Sequence, residues 1–425
     1  MPNTNDFFDQ YLAFVGETES PTTFHRWCAI GGIGALLGRN SYLQHGHMTI
    51  MPNMYIMLLG RAGVRKSTSI KLFKKLLVES GYTTIAADRT TKEKFLLDLS
   101  GDVEVAVDKF KQVDQSSILD SNLWGDSNEE VASRPPSECF IMADEWNDFT
   151  SLGNLEFYSL LGNLWDYKGI FENRIKTGKS FKINEPTISI LGANTPTGFA
   201  QAFPTEIIGQ GFFSRLILIN GEDTGRKIAF PTRPCPEASA SMIALLQRIR
   251  HVGTGQVVMH PLAEKLADKI YHSYRGFEDA RFEAYISRRF IHLLKLCVIT
   301  AAARFSNIIT EQDVVYANTV LTHAEHGMPK ALGEFGKGRN SDVANRVVDI
   351  LANSRMPITM QKLWSMVSQD CDKQSGLTEV LANLRAADKI QAVGNGFMAK
   401  KRVVEAITTD TIDYGLLTKE ERGEL

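Results

Sequence analysis

A glycine-rich stretch that ends in lysine, serine and threonine is the clearest chemical feature of the sequence. It consists of Gly60, Arg61, Ala62, Gly63, Val64, Arg65, Lys66, Ser67 and Thr68. The spacing from Gly60 to Lys66 is that of a Walker A loop, in which backbone N–H groups and the positive end of the following helix hold phosphates. We expect Lys66 to contact the β and γ phosphates of ATP and Ser67 to bind Mg²⁺.

One residue of this loop departs from the usual pattern. Arg65 stands directly before the lysine, where the pattern has glycine. The sequence therefore predicts a slight distortion of the loop at this point. It also leaves a second interpretation open, in which the stretch is only a turn rich in glycine and holds no nucleotide.

Two acidic residues follow a second apolar stretch. Phe140–Ala143 is an apolar run of strand length, and Asp144 and Glu145 come directly after it. Alone, such a pair more often begins a solvated loop, but downstream of a phosphate-binding loop it is typical of a Walker B motif. Asp144 would then hold Mg²⁺ through water. Glu145 would polarise the attacking water, which a hydrolase must orient and a kinase must exclude.

Two further polar residues lie beside apolar runs of strand length. Asn194 ends one run, where ligands of parallel sheets gather, and would hydrogen-bond the γ-phosphate or the attacking water. Its alternative role is to cap the turn that follows. Arg215 precedes another run, and its planar guanidinium would fit the γ-phosphate of a neighbouring subunit as an arginine finger. Its alternative role is a surface salt bridge.

The elements around these residues alternate between strand and helix. Strands are predicted at 54–59, 83–87, 139–143, 187–191 and 216–219, with helical segments between them. This alternation predicts an α/β fold with a parallel sheet and helices on both of its faces.

Changes in composition divide the chain into segments. They are an N-terminal helical segment (1–45), the α/β core (46–230) with an insertion or loop (101–137), an all-helical subdomain (231–335), a module of three helices and a β-hairpin that turns at Gly394-Asn395-Gly396 (336–402), and a loose acidic tail (403–425).

Composition limits the classes of partner. Lys and Arg number 47 against 49 Asp and Glu, which excludes a uniformly basic, histone-like surface and an acidic disordered chain. The five cysteines include no Cys-x-x-Cys pair, so neither a zinc ribbon nor a disulfide framework is predicted. No secretory leader and no apolar stretch of membrane-spanning length is recognised, so we expect a cytoplasmic protein without a membrane partner.

The two Walker motifs, Asn194 and Arg215, in this order, resemble the AAA+ ATPases. The fuller resemblance is to AAA+ proteins of phages and prophages that act as replicative helicases or as the helicase halves of primase-helicases. It extends to Glu17–Trp27, Pro52–Tyr55 and Gly211–Leu216. The resemblance implies an AAA+ type P-loop NTPase with a helical lid subdomain.

The resemblance also implies roles for single arginines. Ser214-Arg215 is similar to the Ser-Arg-Phe arginine-finger motif of the MCM helicases, with Leu216 in place of Phe. By the same similarity, Arg288 or Arg289, at the head of a lid helix, would be the sensor 2 residue that contacts the nucleotide.

A basic stretch between Asp144 and Asn194 resembles the pre-sensor 1 hairpin of superfamily 3 and MCM helicases. Residues 171–183 read as two short strands about a Thr-Gly turn, which would enter a ring pore and track DNA phosphates without reading bases. Its basic residues are Arg174, Lys176, Lys179 and Lys182. The alternative is an exposed hairpin that its lysines keep soluble.

Residues 336–402 resemble a winged-helix domain. Residues 377–387 would be its recognition helix and 389–402 its wing, with Lys400 and Lys401 at the end that would contact DNA. Because winged helices also serve protein contact, another replication protein is the alternative partner.

These expectations together describe an ATP-hydrolysing, Mg²⁺-dependent DNA translocase that forms a homo-oligomeric, hexameric ring. Its substrate would be single-stranded or forked DNA, and its role that of a phage or prophage replicative helicase in the cytoplasm of a bacterial host. Two alternatives remain open. One is an AAA+ protein that loads or remodels a helicase. The other is a DNA-binding replication initiator in which Arg65 has abolished hydrolysis and ATP is only a ligand.

Overall fold

The chain forms two compact units in the computed structural model. The first comprises Met1–Gly333 with Thr409–Leu425, and the second comprises Glu334–Thr408. The sequence predicts this boundary at nearly the same place, between residues 335 and 336. The structure describes residues 6–101, 128–150, 152–174, 181–232, 234–276, 279–333, 335, 343, 346–348, 350–351, 354, 356–368, 374–386, 390–399 and 411–424.

The first unit mixes helices and strands along its length. Its helices are α1 (Phe7–Phe14), α2 (Thr22–Leu37), α3 (Lys66–Glu79), α4 (Lys92–Ser100), α5 (Asn128–Ala132), α6 (Trp146–Phe149), α7 (Leu155–Asn163), α8 (Pro196–Ala202), α9 (Pro236–Val252), α10 (Pro261–Ser273), α11 (Glu283–Ile286), α12 (Arg289–Ala303) and α13 (Glu311–Leu332). Its strands are β1 (Ser41–His45), β2 (Met48–Ile50), β3 (Tyr55–Leu59), β4 (Glu138–Ala143), β5 (Ile170–Asn173), β6 (Phe181–Asn184), β7 (Thr187–Asn194), β8 (Leu216–Asn220), β9 (Gly255–Met259) and β10 (Ile308–Ile309). Among the described helices, none combines the length and the apolar character needed to cross a bilayer.

A four-stranded parallel sheet is the centre of this unit. Its strand order is β4-β7-β3-β8, and all three pairings are parallel. Every residue of β3 is buried, as expected for a strand that is covered on both faces. The predicted α/β class with a parallel sheet is therefore confirmed. The strand predicted at 83–87 is reduced to a single bridge from Ile85 to Phe140.

A second sheet corrects two sequence predictions. Its order is β10-β9-β1-β2, and β9 pairs with β1 through Leu43 and Val257. The segment 1–45 is thus not purely helical, and 231–335 is not an all-helical subdomain. Short strands far apart in the chain complete each other's hydrogen bonds here, and neither region alone signals that pairing.

A buried lysine explains why 231–335 is not a separate body. Lys295 of α12 donates to the carbonyl oxygen of Met51 at 2.7 Å and to Asn53 Oδ1 at 2.6 Å. The Asn53 amide in turn donates to Trp165 O and Ile188 O. The helical region is thereby bonded to the turn that leads into β3, because a buried ammonium requires such acceptors.

Close packing of α2 depends on glycine. A Cβ on Gly32 would lie 1.9 Å from the Phe73 ring of α3, and one on Gly34 would lie 2.3 Å from Pro52 O. Neither neighbour has room to move, since both are buried. The missing side chains therefore let α2 approach α3 and the entry to β3 closely.

The second unit has its own small core. Its described elements are β11 (Ile358–Thr359), α14 (Met360–Val367), α15 (Gln374–Ala386), β12 (Ile390–Val393) and β13 (Gly396–Ala399). The antiparallel pairing of β12 with β13 confirms the predicted hairpin. At its turn, Gly394 has φ +57°, a conformation that glycine adopts without a Cβ penalty.

The tail predicted to be loose is packed onto the first unit over its described residues, 411–424. Arg26 of α2 and Glu421 form a buried ion pair, each side chain only 1% exposed, with Nη2 and Oε2 2.7 Å apart. Arg26 also donates to the hydroxyl of Tyr316. The preceding carboxylate, Glu420, accepts from Thr22 N at 2.7 Å. It therefore caps α2, whose own N-cap residue, Pro21, offers no side-chain acceptor.

The acidity of Glu421 follows from this pairing. Burial alone would raise its pKa, but the Arg26 charge and the hydrogen bonds outweigh burial and hold the pKa below the ordinary value. Because the pKa of Glu421 is lower in the folded chain, its ionised carboxylate stabilises the fold at pH values above the ordinary glutamate pKa. That stabilisation is lost as the pH falls through the acidic range and the carboxylate is protonated.

We predict that Glu421→Gln lowers the free energy of unfolding by about 3 kcal/mol, because it leaves the Arg26 charge buried without a counter-charge. Urea denaturation at neutral pH measures this. The matched control is Glu424→Gln, since Glu424 pairs with Arg422 at the surface, and it should have no measurable effect. Equal denaturation curves for both variants would show that the tail does not dock in solution.

Candidate functional site

The carboxyl ends of three neighbouring strands bring the predicted catalytic residues to one edge of the sheet. Gly60 follows β3 directly, Asp144 follows β4, and Asn194 ends β7, which lies between those two strands. In register, Leu59 is opposite Asn194, and Ala143 is opposite Gly192. The parallel sheet thus places the glycine-rich loop, Asp144 and Asn194 at the edge where ligands of α/β sheets bind.

The glycine-rich loop connects β3 to the first residue of α3. Lys66 begins that helix, and its Nζ donates to Gly60 O at 2.8 Å and to Arg61 O at 2.9 Å. Burial lowers the pKa of Lys66, and the nearby charge of Glu145 opposes that shift. The ammonium therefore lies within the loop, close enough to Glu145 to feel its charge. Arg61, Ala62 and Gly63 are exposed, so their backbone is open to a ligand.

Arg65 takes the backbone conformation that its position requires. Its φ of 58° and ψ of 29° are left-handed, a region in which glycine has no Cβ penalty. The helix α3 begins normally at the next residue. Arg65 therefore adopts the backbone geometry that glycine would have at this position. The sequence predicts a slight distortion of the loop here, and the structure has a left-handed residue followed directly by α3.

Lys71 contacts Asp144, a contact that sequence reasoning missed. Its Nζ lies 2.7 Å from Asp144 Oδ2, and the Lys71 side chain is largely exposed. This ion pair raises the pKa of Lys71 above its ordinary value. One signal could have revealed it, because Lys71 lies one helical turn after Ser67 and therefore on the same side of α3.

Asn194 is held by two hydrogen bonds at the sheet edge. Its Nδ2 donates to Asn147 Oδ1 at 2.8 Å, and its Oδ1 accepts from Thr195 N at 2.9 Å. The second bond joins neighbouring residues and caps no turn, because the N-cap of α8 is Thr195, whose hydroxyl accepts from Gly198 N at 2.9 Å. The turn-capping role that the sequence offers as the alternative therefore belongs to Thr195. Asn147, on α6, was not predicted.

The ligands expected for Mg²⁺ have suitable chemistry. The Ser67 hydroxyl and the Asp144 carboxylate are hard oxygen donors, and Mg²⁺ is usually held by one or two such groups with water and substrate phosphates. Within the described residues, no group of three or more His, Cys, Asp or Glu side chains forms a dedicated metal cage. The donors present fit a metal that arrives with a phosphate ligand.

Arg215 lies at the opposite end of the sheet from the glycine-rich loop. It precedes β8, whose five residues span roughly 16 Å at about 3.3 Å per residue. The far end of β8, Asn220, is the end that pairs with Leu59. Arg215 donates to Gly211 O at 2.6 Å and stacks on the ring of Trp165 at 5.3 Å.

The two sensor 2 candidates have different surroundings. Arg288 stacks on the same Trp165 ring at 5.8 Å. Burial lowers the pKa of Arg215, and the nearby Arg288 charge lowers it further. Arg289 instead is buried and donates to Glu325 at 2.8 Å, so it fastens α12 to α13. Only Arg288 therefore joins Arg215, and neither candidate contacts the glycine-rich loop of its own chain.

The predicted DNA-facing residues are described only in part. The strands β5 and β6 pair as an antiparallel hairpin, and Arg174 at its end pairs with Glu172, whereas Lys182 lies on β6. Lys176 and Lys179, in 175–180, lie outside the described residues. So do Lys400 and Lys401.

Comparison with known proteins gives no identification. No protein-family model matches the chain, and no curated protein matches it either. The chemistry of this site is therefore inferred from its own residues: a lysine in a glycine-rich loop, a carboxylate pair and an amide on three neighbouring strands.

We predict that Lys71→Met lowers the Mg²⁺ concentration that half-saturates ATP hydrolysis by roughly 2- to 5-fold, because it removes a cation that competes for Asp144. A Mg²⁺ titration at saturating ATP measures this. The control is Lys75→Met, on the same helix, which removes a lysine that pairs with Glu79. An unchanged half-saturation in Lys71→Met would mean that the ion pair does not compete with the metal.

Proposed function

We propose that the protein is a Mg²⁺-dependent ATPase of the AAA+ type. One observation carries the proposal: Lys66, the pair Asp144 and Glu145, and Asn194 lie together at the carboxyl edge of three adjacent parallel strands. A merely glycine-rich turn would not require acids and an amide at the same edge. The backbone geometry at Arg65 further supports a working loop.

Each residue has a distinct role in this proposal. Lys66 leaves the loop carbonyls and neutralises charge on the β and γ phosphates, while the N–H groups that begin α3 hold the phosphate oxygens. Bound Mg²⁺, with Ser67 and Asp144 as its protein ligands, would supply further compensation of phosphate charge. Glu145 accepts a hydrogen bond from the attacking water and aligns it. Asn194 hydrogen-bonds the γ-phosphate or that water.

The position of Arg215 and Arg288 supports the proposal of a ring. Both lie at the end of the sheet away from their own loop, so within one chain they serve no nucleotide. In a head-to-tail oligomer the two ends of successive subunits meet, and closure of that arrangement gives a ring. We propose that both arginines contact the γ-phosphate bound by the neighbouring subunit of a hexamer.

We further propose that the ring is a phage or prophage replicative helicase that moves along single-stranded or forked DNA. The hairpin β5–β6 supports this, because Arg174 directly follows β5, Lys182 lies on β6, and several copies of a basic hairpin would line one pore. Unwinding of a forked duplex by the purified protein tests it. Stimulation of ATP hydrolysis by DNA without unwinding would favour a helicase loader, and ATP binding without hydrolysis would favour an initiator.

We predict that Lys66→Ala abolishes ATP binding, whereas Glu145→Gln retains binding but stops hydrolysis. The first substitution removes charge that compensates the phosphates, and the second removes only the carboxylate that orients water. Equilibrium binding of a fluorescent ATP analogue and release of inorganic phosphate measure the two effects. Hydrolysis by Glu145→Gln at near the wild-type rate would show that the Walker B assignment is wrong.

We predict that Arg215→Ala lowers the hydrolysis rate by roughly 10³-fold and changes ATP affinity only a few-fold, since an arginine finger acts on transition-state charge. Mixing Arg215→Ala with Lys66→Ala should restore activity, because a mixed interface combines an intact loop with an intact finger. The measurement is phosphate release against mixing ratio. If subunits exchange and no activity returns, Arg215 does not act between subunits.

A further inference from the structure

The left-handed conformation of Arg65 requires support from its surroundings. A residue with a Cβ is disfavoured at a φ of 58°, and the loop position is one that glycine normally fills. More than half of the Arg65 side chain is exposed, so burial of the side chain does not hold it. Contacts from elsewhere in the chain must therefore fix this turn.

The segment before α2 supplies those contacts. Glu19 Oε2 accepts from Arg65 Nε at 2.8 Å and lies 2.7 Å from Arg65 Nη2. The next residue, Ser20, donates its hydroxyl to Arg65 O at 2.7 Å. One contact thus holds the guanidinium and the other holds the peptide group that leads into Lys66. Both come from residues more than forty positions earlier in the chain.

The segment that contains Glu19 and Ser20 is itself held by residues that follow β8. Glu19 Oε1 accepts from Ile228 N at 2.9 Å, and this bond, followed by the Arg65 contact, lowers the pKa of Glu19. Arg226 donates to Ser20 O at 2.8 Å and pairs with Glu420 of the tail at 2.8 Å. The support for Arg65 therefore extends through the segment after β8 to the carboxylate that caps α2.

We propose that Glu19 and Ser20 are positioning residues of the phosphate-binding loop. They hold Arg65 in the conformation that glycine would adopt unaided, and so aim the N–H groups of Lys66 and Ser67 at a bound phosphate. The inference rests on the proposed ATPase function for the identity of the ligand. It explains how the loop works without its usual glycine: the conformational restraint lies in another segment.

A double-mutant cycle tests this. Glu19→Gln retains an acceptor for Ile228 N but loses the charge that faces Arg65, and Arg65→Gly provides a second background that needs no restraint. We predict that Glu19→Gln raises the ATP dissociation constant by roughly 5- to 10-fold in the wild-type background and by less than about 2-fold in the Arg65→Gly background. Binding of a fluorescent ATP analogue measures all four proteins.

The second readout needs no nucleotide. Amide hydrogen exchange in residues 60–68 of the nucleotide-free protein should accelerate on Glu19→Gln in the wild-type background and stay unchanged by it in the Arg65→Gly background. The control is Glu17→Gln, an exposed glutamate two residues earlier, which should alter neither readout.

The outcomes separate the two proposals. Equal effects of Glu19→Gln in both backgrounds, in exchange and in binding, would overturn the positioning role, because the effect would not pass through Arg65. If exchange shows the predicted coupling while no variant binds ATP, the positioning role stands and the ATPase proposal fails.

Discussion

The parallel register of β3 between β7 and β8 is the constraint on which the rest of the structure depends. Because Leu59 lies opposite both Asn194 and Asn220, the loop after β3 must share one edge with the ends of β7 and β4. The same register sends the start of β8, and Arg215 with it, to the other edge. One pairing pattern therefore separates the residues predicted to hydrolyse ATP from the pair Arg215 and Arg288, a separation that the proposed ring would require.

Side-chain chemistry reinforces that separation. At the loop edge the charges alternate, with Lys66 near Glu145 and Lys71 beside Asp144. At the other edge Arg215, Arg288 and Lys295 surround the ring of Trp165, and Asp166 is the acid that pairs with Arg215. At the first edge each lysine therefore lies near an acid. At the second edge two arginines share one aromatic ring and burial lowers the pKa of Lys295 to about 7, so the fixed positive charge is that of the arginines.

Sequence reasoning predicted the features that depend on neighbouring residues. The apolar run of β3, the loop that follows it and the hairpin β12–β13 are all specified locally, and the structure has them. Contacts between distant residues were not predicted: Lys71 with Asp144, Asn147 with Asn194, and β9 with β1. Register and side-chain direction decide such contacts, and neither can be read from one segment. The prediction of a loose tail was wrong for the same reason. Its acidic residues look solvated in the sequence, which does not show that Arg26 is buried and pairs with Glu421.

The ion pair between Arg26 and Glu421 also has a consequence for how the chain is made. The two residues are 395 positions apart, so at about 5–20 residues per second their synthesis is separated by roughly 20–80 s. Throughout that interval α2 has neither its cap nor Glu421 as a counter-charge for its arginine, and β3, β7 and β8, which it contacts, are made before either arrives. The first unit therefore gains this buried ion pair only after the residues of the second unit, 334–408, have been synthesised. Docking of residues 411–424 is in this way a late step in the assembly of the first unit, and the pairing of Glu420 with Arg226 waits for it.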